Sequence, residues 1–565
     1  MKNNHSRSLP NFITTLVLRK YGILNASRIL YISGALPDAN LIVSKKLMRF
    51  VLLLFCLQFT MLSMFAQNSR ETIISIDLNQ PVEKVSPMVF GQFIEYLGRC
   101  INGGVYEEGS SLSDENGFRK DVIQKVKDLN IPILRFPGGT VIKIYHWQDG
   151  IGPKAERPKR KNLIWGGMND NHFGTAEFVE YCHKIGAEPF LVVNMATGTP
   201  EEASNWVEYC NGTGDTFYAN LRRKHGFEKP FNVKYWAIGN EEYAVTDAGK
   251  HQNVEKYIED SWQYVKMMKL QDPSLKITLV GNSIDLDWSK KVIHDMHSVC
   301  DFLSIHLYSI PSDSKYMSLL NSVEAFNIDL NNMRTLIQEV PKTVHDFSSW
   351  YRFPPRQEPL KIAIDEWGIW DLNSGKGTGD YNMEYSYNWA HSLAVGKFLN
   401  LFQRNADIIG LATWAQTVNV LAPIMTNKSD SYRQTIYTPL QAYRQYTLKN
   451  NLPLDVNSPA LERLLKAVDA TASISDDQKE IVLTVLNLSE NEIMPTHVNF
   501  KNLAPNKLMQ LSEHVCYTAP SLEATNNFGI NCVIETKDKI LRSSKSGFEV
   551  KVKPASINFF RFKLL

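Results

Sequence analysis

Short apolar runs alternate with amphipathic stretches along most of this chain. An apolar run followed by an amphipathic stretch predicts one βα unit of a parallel sheet. Eight such runs follow one another: Val89–Tyr96, Ile133–Gly139, Glu188–Asn194, Tyr235–Tyr243, Lys276–Asn282, Phe302–Tyr308, Ile362–Trp367 and Ile409–Gln416. Eight consecutive βα units predict an α/β fold, a closed (β/α)8 TIM barrel over residues 89–440.

The stretches between these runs have helical periodicity. In Gly117–Leu129, for example, Phe118, Val122 and Val126 fall on one face. Val254–Leu270 and Asn388–Phe402 have the same kind of pattern. An open doubly wound sheet is the alternative arrangement, but no Gly-x-Gly-x-x-Gly turn follows any of the strands, which weakens it.

The pattern changes after about residue 440. Strand-like runs at Glu480–Leu488, His497–Phe500, Phe548–Lys553 and Ala555–Phe562 have no clear helices between them. This pattern is typical of an antiparallel β-sandwich, which we assign to residues 441–565. Thr72–Asp77 also alternates as a strand, and we expect residues 67–88 to join that sandwich.

The N-terminal region predicts export. Residues 48–66 combine a basic residue, an apolar stretch and a final Ala66, which is the pattern of a secretory signal peptide. Residues 1–47 show no coherent pattern, which favours Met48 as the true start. We therefore expect a secreted or periplasmic protein, with no membrane anchor once the signal is removed.

Composition narrows the function classes. The formal net charge of +2 predicts no broad nucleic-acid surface. Six cysteines lie outside the signal and form no Cys-x-x-Cys pair, so a metal cluster is not expected. Export would permit a disulfide between Cys516 and Cys532, whereas most of the six are expected to be buried thiols.

Polar side chains stand at the carboxyl ends of the predicted strands, the end that carries the active site in a (β/α)8 barrel. They are Glu95, Arg135, Thr140, Asn194, Asn240, Glu241, Glu242, His306, Tyr308, Asp365, Glu366 and Gln416. Carboxyls on two strands of one rim raise each other's pKa. Two such groups in different protonation states are what glycoside hydrolysis requires. An oxygen-only magnesium site is the alternative use of these acids.

Eight motifs along the barrel carry a family resemblance. They are FGQFIEYLGRC from Phe90, LRFPGG from Leu134, YHWQDGIGP from Tyr145, FGTAEF from Phe173, TGTPEEASNWVEYCN from Thr197, WAIGNEE from Trp236, IDEWGIW from Ile364 and AQTVNVLAPIMT from Ala415. In this order they resemble the α-L-arabinofuranosidases of glycoside hydrolase family 51, from Phe90 to about Pro439. The resemblance implies retaining, exo-acting release of terminal α-L-arabinofuranosyl residues from plant polysaccharides or oligosaccharides, with no cofactor and no metal.

The resemblance also implies catalytic roles. Glu241, directly after Asn240, corresponds to the general acid/base, and Glu366 corresponds to the nucleophile. Neighbouring residues of a strand face opposite sides, so the two acids of each pair are not expected to face the same way, but alternation does not choose between them. The resemblance implies that Glu242 and Asp365 are the supporting residues.

The family's sugar-holding positions carry over as well. Glu95, Asn240, Tyr308 and Gln416 are expected to contact the sugar or orient the nucleophile, and Trp147 is a candidate for stacking on a sugar face. Thr140 is a departure, because the family usually has asparagine after Pro-Gly-Gly. A hydroxyl forms fewer hydrogen bonds than an amide, so one sugar contact is expected to differ.

The expected partner is an arabinofuranosyl-containing glycan, and the resemblance also implies a homo-oligomer. Two other functions stay open at this point. One is a related barrel glycosidase that acts on a β-linked glucan or xylan. The other is a sugar-binding protein that keeps the rim but does no chemistry.

Overall fold

The computed structural model describes residues 71–245, 247–313, 315–351, 353, 355–356, 358–371, 383–462 and 465–565. By its internal contacts the chain divides into Met1–Asn68 and Ser69–Leu565, and every described residue belongs to the second unit. The upstream segment 1–47 and the predicted signal peptide 48–66 lie outside the described residues.

The elements appear in the predicted order. The strands are β1 (Thr72–Asp77), β2 (Glu83–Lys84), β3 (Gly91–Phe93), β4 (Ile133–Phe136), β5 (Arg160–Lys161), β6 (Met168–Asn169), β7 (Glu188–Val193), β8 (Tyr235–Ile238), β9 (Lys276–Val280), β10 (Phe302–Ser309), β11 (Lys361–Ile369), β12 (Ile409–Ala415), β13 (Ile424–Thr426), β14 (Ser431–Arg433), β15 (Asn450–Leu452), β16 (Leu454–Asn457), β17 (Val468–Ile474), β18 (Glu480–Asn487), β19 (Met494–Lys501), β20 (Met509–Thr518), β21 (Ile534–Ser544), β22 (Phe548–Val552) and β23 (Ser556–Leu564). The α-helices are α1 (Lys120–Leu129), α2 (Thr175–Ile185), α3 (Pro200–Asn211), α4 (Phe217–Lys224), α5 (Val254–Gln271), α6 (Leu286–Met296), α7 (Tyr316–Glu324), α8 (Phe326–Glu339), α9 (Ser348–Tyr351), α10 (Trp389–Arg404) and α11 (Tyr437–Tyr446).

Eight parallel strands close the predicted barrel. In order around it they are β3, β4, β7, β8, β9, β10, β11 and β12, with β12 pairing back to β3. Strands β4 and β12 are buried along their whole length, because helices cover the barrel outside and side chains fill it inside. The strands end together at one face, which brings the predicted rim residues to the same mouth.

The C-terminal residues form the predicted sandwich of two sheets. The seven-stranded sheet has the order β2-β15-β17-β18-β23-β20-β21, and the four-stranded sheet has the order β16-β1-β19-β22. As predicted, β1 joins this sandwich, but it pairs with β19 in parallel, so the smaller sheet is mixed. The core between the sheets includes Ile74, Ile76, Leu483 and Phe562.

One helix connects the barrel to the sandwich. Residues 389–403 of α10 are all buried, and its polar side chains Asn400 and Gln403 donate hydrogen bonds to β17 of the sandwich. Helix α11 then crosses residue 440, so the change from barrel to sandwich comes a few residues later than the sequence pattern indicates.

The six described cysteines are all free, and five of them are buried. Cys516 and Cys532 therefore form no disulfide with each other in this structure, in agreement with the expectation of mostly buried thiols. A search of the described residues finds no helix that is both long enough and apolar enough to span a membrane.

Candidate active site

A tight turn at the end of β8 separates the three polar residues that follow it. Gly239 has φ of +81° and Glu241 has φ of +46°, so the chain reverses direction within three residues. The Asn240 backbone N–H donates to Oε1 of Glu242 over 3.0 Å. A Cβ atom at Gly239 would lie only 2.5 Å from that same oxygen, which explains the glycine. The turn therefore sends Glu241 and Glu242 in different directions.

Glu242 is fully buried behind the mouth of the barrel. Its carboxylate lies 3.3 Å from Nζ of Lys143 and 2.9 Å from Nδ1 of His251. The His251 backbone N–H also donates to the Glu242 carbonyl oxygen over 2.8 Å. These contacts anchor the loop that follows β8 and leave no free carboxylate oxygen on Glu242.

Glu241 and Glu366 lie on either side of His306, a residue of β10. His306 Nδ1 lies 2.8 Å from Oε1 of Glu241 and 3.6 Å from Oε2 of Glu366. Since both distances end on one nitrogen atom, the two carboxylate oxygens cannot be farther apart than the sum of 2.8 and 3.6 Å. The structure thus brings together two acids that are far apart in the sequence, as the sequence analysis predicts.

Arg135 of β4 lies beneath these groups and is fully buried. Its guanidinium donates to Oε1 of Glu366 over 2.7 Å and to Oδ1 of Asn240 over 2.7 Å, and it lies 3.3 Å from Oδ2 of Asp365. Its planar face also lies over the ring of Phe93. The arginine therefore supplies positive charge directly to the Glu366 carboxylate and fixes the Asn240 side chain.

Tyr308 completes the surroundings of Glu366. Its hydroxyl donates to Oε2 of Glu366 over 2.8 Å. Burial, the negative charge of Glu366 and this hydrogen bond raise the pKa of Tyr308 well above its ordinary value. The phenol thus remains a donor, and each oxygen of Glu366 receives one hydrogen bond in a fixed direction.

The pKa values of His306 and Glu241 depend on each other's charge and on the charged groups around them. Burial alone would lower the pKa of His306, but Glu366, Asp365 and Glu241 together raise it well above its ordinary value. Burial alone would raise the pKa of Glu241, yet the hydrogen bond and charge of His306, with Lys143 and Arg135, lower it. These charges therefore favour the protonated form of His306 next to the ionised form of Glu241.

Glu95 and Gln416 form a second group on the opposite side of the mouth. Nε2 of Gln416 donates to Oε1 of Glu95 over 2.8 Å. Burial, followed by the negative charge of Glu366, raises the pKa of Glu95 to about 8. Gly139 lies against this carboxyl, where a Cβ atom would come within 2.9 Å of its Oε2. Glu95 is therefore a neutral acid at pH 7, in the absence of substrate.

Thr140 follows Gly139 and begins a short 3-10 helix, Thr140–Ile144. Its hydroxyl donates to Oδ2 of Asp247 over 3.2 Å. Asp247 comes from the loop after β8, and the sequence analysis does not single it out.

Trp147 lies away from this cluster. Its indole is 1 % exposed, is stacked on Trp206 at 6.0 Å between ring centroids, and donates from Nε1 to the Glu202 carbonyl oxygen. The prediction that Trp147 stacks on a sugar is therefore wrong for this structure, because neither face of its ring reaches the barrel mouth. Trp370 does lie near the site, with its ring edge-on to Tyr308 at 6.4 Å.

The sequence analysis missed the groups behind the acids. Lys143 and His251 lie in segments without strand-end character, so no pattern marks them, and Asp247 stands in an ordinary polar loop. Arg135 and His306 are visible as strand-end residues. The contact of Arg135 with Glu366, and those of His306 with Glu241 and Glu366, depend on the closure of the barrel.

Comparison with known proteins gives a consistent family. Residues 125–323 match the model of the α-L-arabinofuranosidase 1 domain, and residues 365–556 match that of the α-L-arabinofuranosidase C-terminal domain. The probable α-L-arabinofuranosidase C of Aspergillus fumigatus is 38 % identical over 437 residues, which cover 74 % of this chain and 85 % of the relative.

Two further relatives extend the match to nearly their full length. The intracellular exo-α-(1→5)-L-arabinofuranosidase 1 of Bacillus subtilis is 30 % identical, and the match covers 86 % of this chain and 98 % of the relative. The structure of the thermostable GH51 α-L-arabinofuranosidase from Thermotoga petrophila superposes with a TM-score of 0.76 at 35 % identity, covering 87 % of this chain and 99 % of that one. With the (β/α)8 barrel and the two facing acids, these matches show that the chain belongs to the α-L-arabinofuranosidases of glycoside hydrolase family 51.

Proposed function

We propose that this protein is a retaining, exo-acting glycoside hydrolase that releases terminal α-L-arabinofuranosyl residues from plant polysaccharides or oligosaccharides. The observation that carries the proposal is the contact of Glu241 and Glu366 with the same nitrogen atom of His306. That arrangement holds two carboxyls on one pocket at a separation compatible with the ~5–5.5 Å of retaining enzymes.

Each acid has one role in the first step. Glu366, whose oxygens are held by Arg135 and Tyr308, attacks the anomeric carbon and forms the new C–O bond. Glu241 gives its proton to the glycosidic oxygen as the bond from that oxygen to the anomeric carbon breaks. The products are a glycosyl ester on Glu366 and a free alcohol.

The second step reverses these roles. Glu241, now a carboxylate, takes a proton from water, and the water oxygen attacks the anomeric carbon. The ester bond to Glu366 breaks, arabinose leaves with the same anomeric configuration, and Glu241 holds a proton again.

His306 supplies the proton that Glu241 needs for the first step. The imidazolium Nδ1–H points at Oε1 of Glu241 over 2.8 Å, and transfer along that bond yields a neutral Glu241 and a neutral His306. The low pKa of Glu241 beside a charged His306 is thus compatible with its role as an acid, because the two groups titrate as a pair.

Three further residues around the barrel mouth hold the sugar in the proposed complex. Asn240 uses its Oδ1 to accept from Arg135, so its amide NH2 is available to donate to the hydroxyl next to the reacting carbon. Glu95 and Gln416 face the remaining hydroxyls as a hydrogen-bonded pair. Such contacts strengthen as charge develops on the ring.

Removing the Glu241 carboxyl tests the acid. We expect Glu241→Ala to reduce kcat/KM on a natural arabinoside by roughly 10²–10⁴-fold, since the leaving oxygen is no longer protonated. On an aryl arabinofuranoside with an activated leaving group, which departs without a proton, kcat/KM falls far less. Equal losses on both substrates would show that Glu241 is not the acid.

Glu366→Ala tests the nucleophile. No arabinose is released from either substrate, because no covalent intermediate forms. Measurable turnover of either by a pure sample would remove Glu366 from this role. A panel that includes aryl glucoside and aryl xyloside separates this enzyme from a β-glycosidase on a similar barrel.

For location, we propose export through the signal at residues 48–66, which makes the enzyme secreted or periplasmic. The support is the apolar run behind Arg49 and the small residue Ala66 at its end. Cell fractionation, with N-terminal sequencing of the mature protein, tests this. A mature protein in the cytoplasm with the segment intact would overturn it, and the Bacillus relative is named as intracellular.

A further inference from the structure

The sequence resemblance makes Thr140 a sugar-holding position at which an asparagine would be expected. A threonine side chain is shorter than asparagine and offers one hydroxyl where the amide offers an NH2 and a carbonyl oxygen. In the structure the Thr140 hydroxyl does not stand alone. It donates to Oδ2 of Asp247 over 3.2 Å, so the two side chains form one unit.

The Thr140–Asp247 pair is connected to two groups at the barrel mouth. On one side, Thr140 follows Gly139, which packs directly against the Glu95 carboxyl. On the other side, Asp247 lies near the catalytic acids. Burial and the negative charge of Glu241 raise the pKa of Asp247, whereas Lys143 lowers it.

The loop after β8 holds Asp247 in this place. The Ala244 N–H donates to the Glu241 carbonyl oxygen over 2.9 Å, and the Asp247 N–H donates to the Ala244 carbonyl oxygen over 3.2 Å. These two hydrogen bonds connect the backbone of Glu241 to that of Asp247 through Ala244. His251, bonded to Glu242 through both its backbone and its ring, fixes the far end of the loop.

We propose that Asp247 is a specificity-determining residue of this enzyme, whose carboxylate accepts a hydrogen bond from one furanose hydroxyl. The proposal rests on the arabinofuranosidase activity proposed above. Thr140 orients the carboxylate by donating to Oδ2, which leaves Oδ1 as an acceptor toward the pocket.

The chemistry of the pair predicts which substrates fit. The Thr140 proton is already committed to Asp247, so the pair offers oxygen lone pairs and no hydrogen. Its sugar partner must then be a free hydroxyl that donates. A sugar on which that hydroxyl is acylated or glycosylated loses the bond and brings an ether or ester oxygen against a carboxylate, which repels it.

The test crosses protein variants with substrate variants. Wild type and Asp247→Ala are assayed on an aryl α-L-arabinofuranoside and on its monodeoxy derivatives, each lacking one sugar hydroxyl. For wild type, removal of the partner hydroxyl lowers kcat/KM by roughly 10- to 100-fold, the usual range for a hydrogen bond to a charged group. For Asp247→Ala that particular penalty disappears, whereas the penalties for the other hydroxyls remain.

Three further variants serve as controls for misfolding and for indirect effects. Asp247→Asn keeps the size of the side chain, so it carries the test if the alanine variant does not fold, and we expect it to reduce the same penalty. Thr140→Val keeps the shape of threonine but removes the donor, and it weakens the same hydroxyl preference in part. Asp455→Asn, in the exposed strand β16 of the sandwich, changes none of the penalties.

Two failures are distinguishable. If wild type releases no arabinose from the parent substrate, the proposed function fails. If wild type is active but Asp247→Ala and Asp247→Asn keep every hydroxyl penalty of wild type, Asp247 does not contact the sugar and the inference is overturned.

Discussion

His306 connects Glu241 and Glu366, the two acids that we propose as catalytic, electrostatically. It lies 2.8 Å from Glu241, 3.6 Å from Glu366 and, through Nε2, 3.5 Å from Asp365. Three carboxylates around one buried ring keep it protonated, and this charge in turn stabilises the ionised acids. In the proposed mechanism, His306 therefore holds the proton for the first chemical step, beside Glu241.

A proton held by the His306–Glu241 pair predicts how kcat/KM depends on pH. Because the carboxylates raise the pKa of His306, the His306–Glu241 pair keeps its proton well above pH 6.5, and the alkaline fall in kcat/KM lies above that pH. In His306→Asn the proton must reside on Glu241 itself, whose ordinary pKa is about 4.3. We expect the alkaline limb on a natural arabinoside to move by more than about one unit to lower pH.

The measurement is kcat/KM against pH for wild type and variant. His497→Asn, on the partly exposed sandwich strand β19, serves as the matched control and keeps the wild-type profile. An unchanged alkaline limb in His306→Asn would show that His306 does not hold the catalytic proton.

The turn after β8 determines which of the neighbouring residues Glu241 and Glu242 faces His306. Positive φ angles at Gly239 and Glu241 turn the chain so sharply that Glu241 faces His306 while Glu242 faces Lys143 and His251. A regular strand would also alternate these side chains, but it would not place the Asn240 N–H on the Glu242 carboxylate. The turn and the buried glutamate thus stabilise each other.

Gly239→Ala tests this element. The methyl group would require an unfavourable φ and would lie about 2.5 Å from Glu242 Oε1. We expect a loss of roughly 1–3 kcal/mol in the free energy of unfolding from the strained backbone. Because the clash also displaces Glu241, kcat falls with it.

Gly109→Ala is the matched control for Gly239→Ala. Gly109 has a similar φ of +75°, and a methyl group added there would meet no heavy atom within 4 Å, so this variant reports the cost of φ alone. Denaturant unfolding and steady-state kinetics on both variants separate the two effects. Equal kcat values for the two would contradict the role given to the Gly239–Glu242 contact.

At the scale of the whole molecule, a partly buried ionic cluster joins the barrel to the sandwich, with Arg404 at its exposed edge. Asp469 of β17 accepts from Asn400 over 2.9 Å, lies 3.3 Å from Nζ of Lys397, and pairs with Arg404, all three from α10. Burial would raise the pKa of Asp469, but Arg404 and Lys397 hold it far below its ordinary value. The cluster therefore contributes to stability at neutral pH.

Asp469→Ala leaves two cations of α10 without this partner. We expect the free energy of unfolding to fall by roughly 1–3 kcal/mol, less than for a fully buried pair, because Arg404 is partly exposed and Lys397 keeps its ion pair with Glu324. For the wild type the sign of the pH effect follows from the depressed pKa. Its contribution is complete above about pH 4, where an unfolded aspartate is ionised, and is lost as the pH falls toward the lower folded pKa.

Urea unfolding of the purified protein at several pH values measures both effects. Asp476→Ala removes an exposed pair with Lys449 and is expected to leave the unfolding midpoint unchanged. If Asp469→Ala has the same midpoint as wild type, the contact between barrel and sandwich does not depend on this cluster.

The sequence by itself determined the barrel, the sandwich and the acids at the strand ends, because each is encoded locally. A strand buried on both sides requires a continuous apolar run, and a residue at its end is recognisable from the sequence alone. Strand β21 was missed because it is an edge strand exposed along nearly its whole length and thus has no apolar pattern. Local sequence also gave a wrong prediction for Trp147, which was expected to stack on a sugar but packs among other aromatic rings.

Tertiary structure decided everything that depends on contacts between distant segments. The charge of His306, the neutral state of Glu95 and the pairing of Thr140 with Asp247 arise only when eight strands close and bring their ends to one mouth. The parallel pairing of β1 with β19 likewise joins residues more than four hundred positions apart. Periodicity reports which side of an element is buried, but the electrostatic environment of a side chain is set by neighbours that the order of residues does not specify.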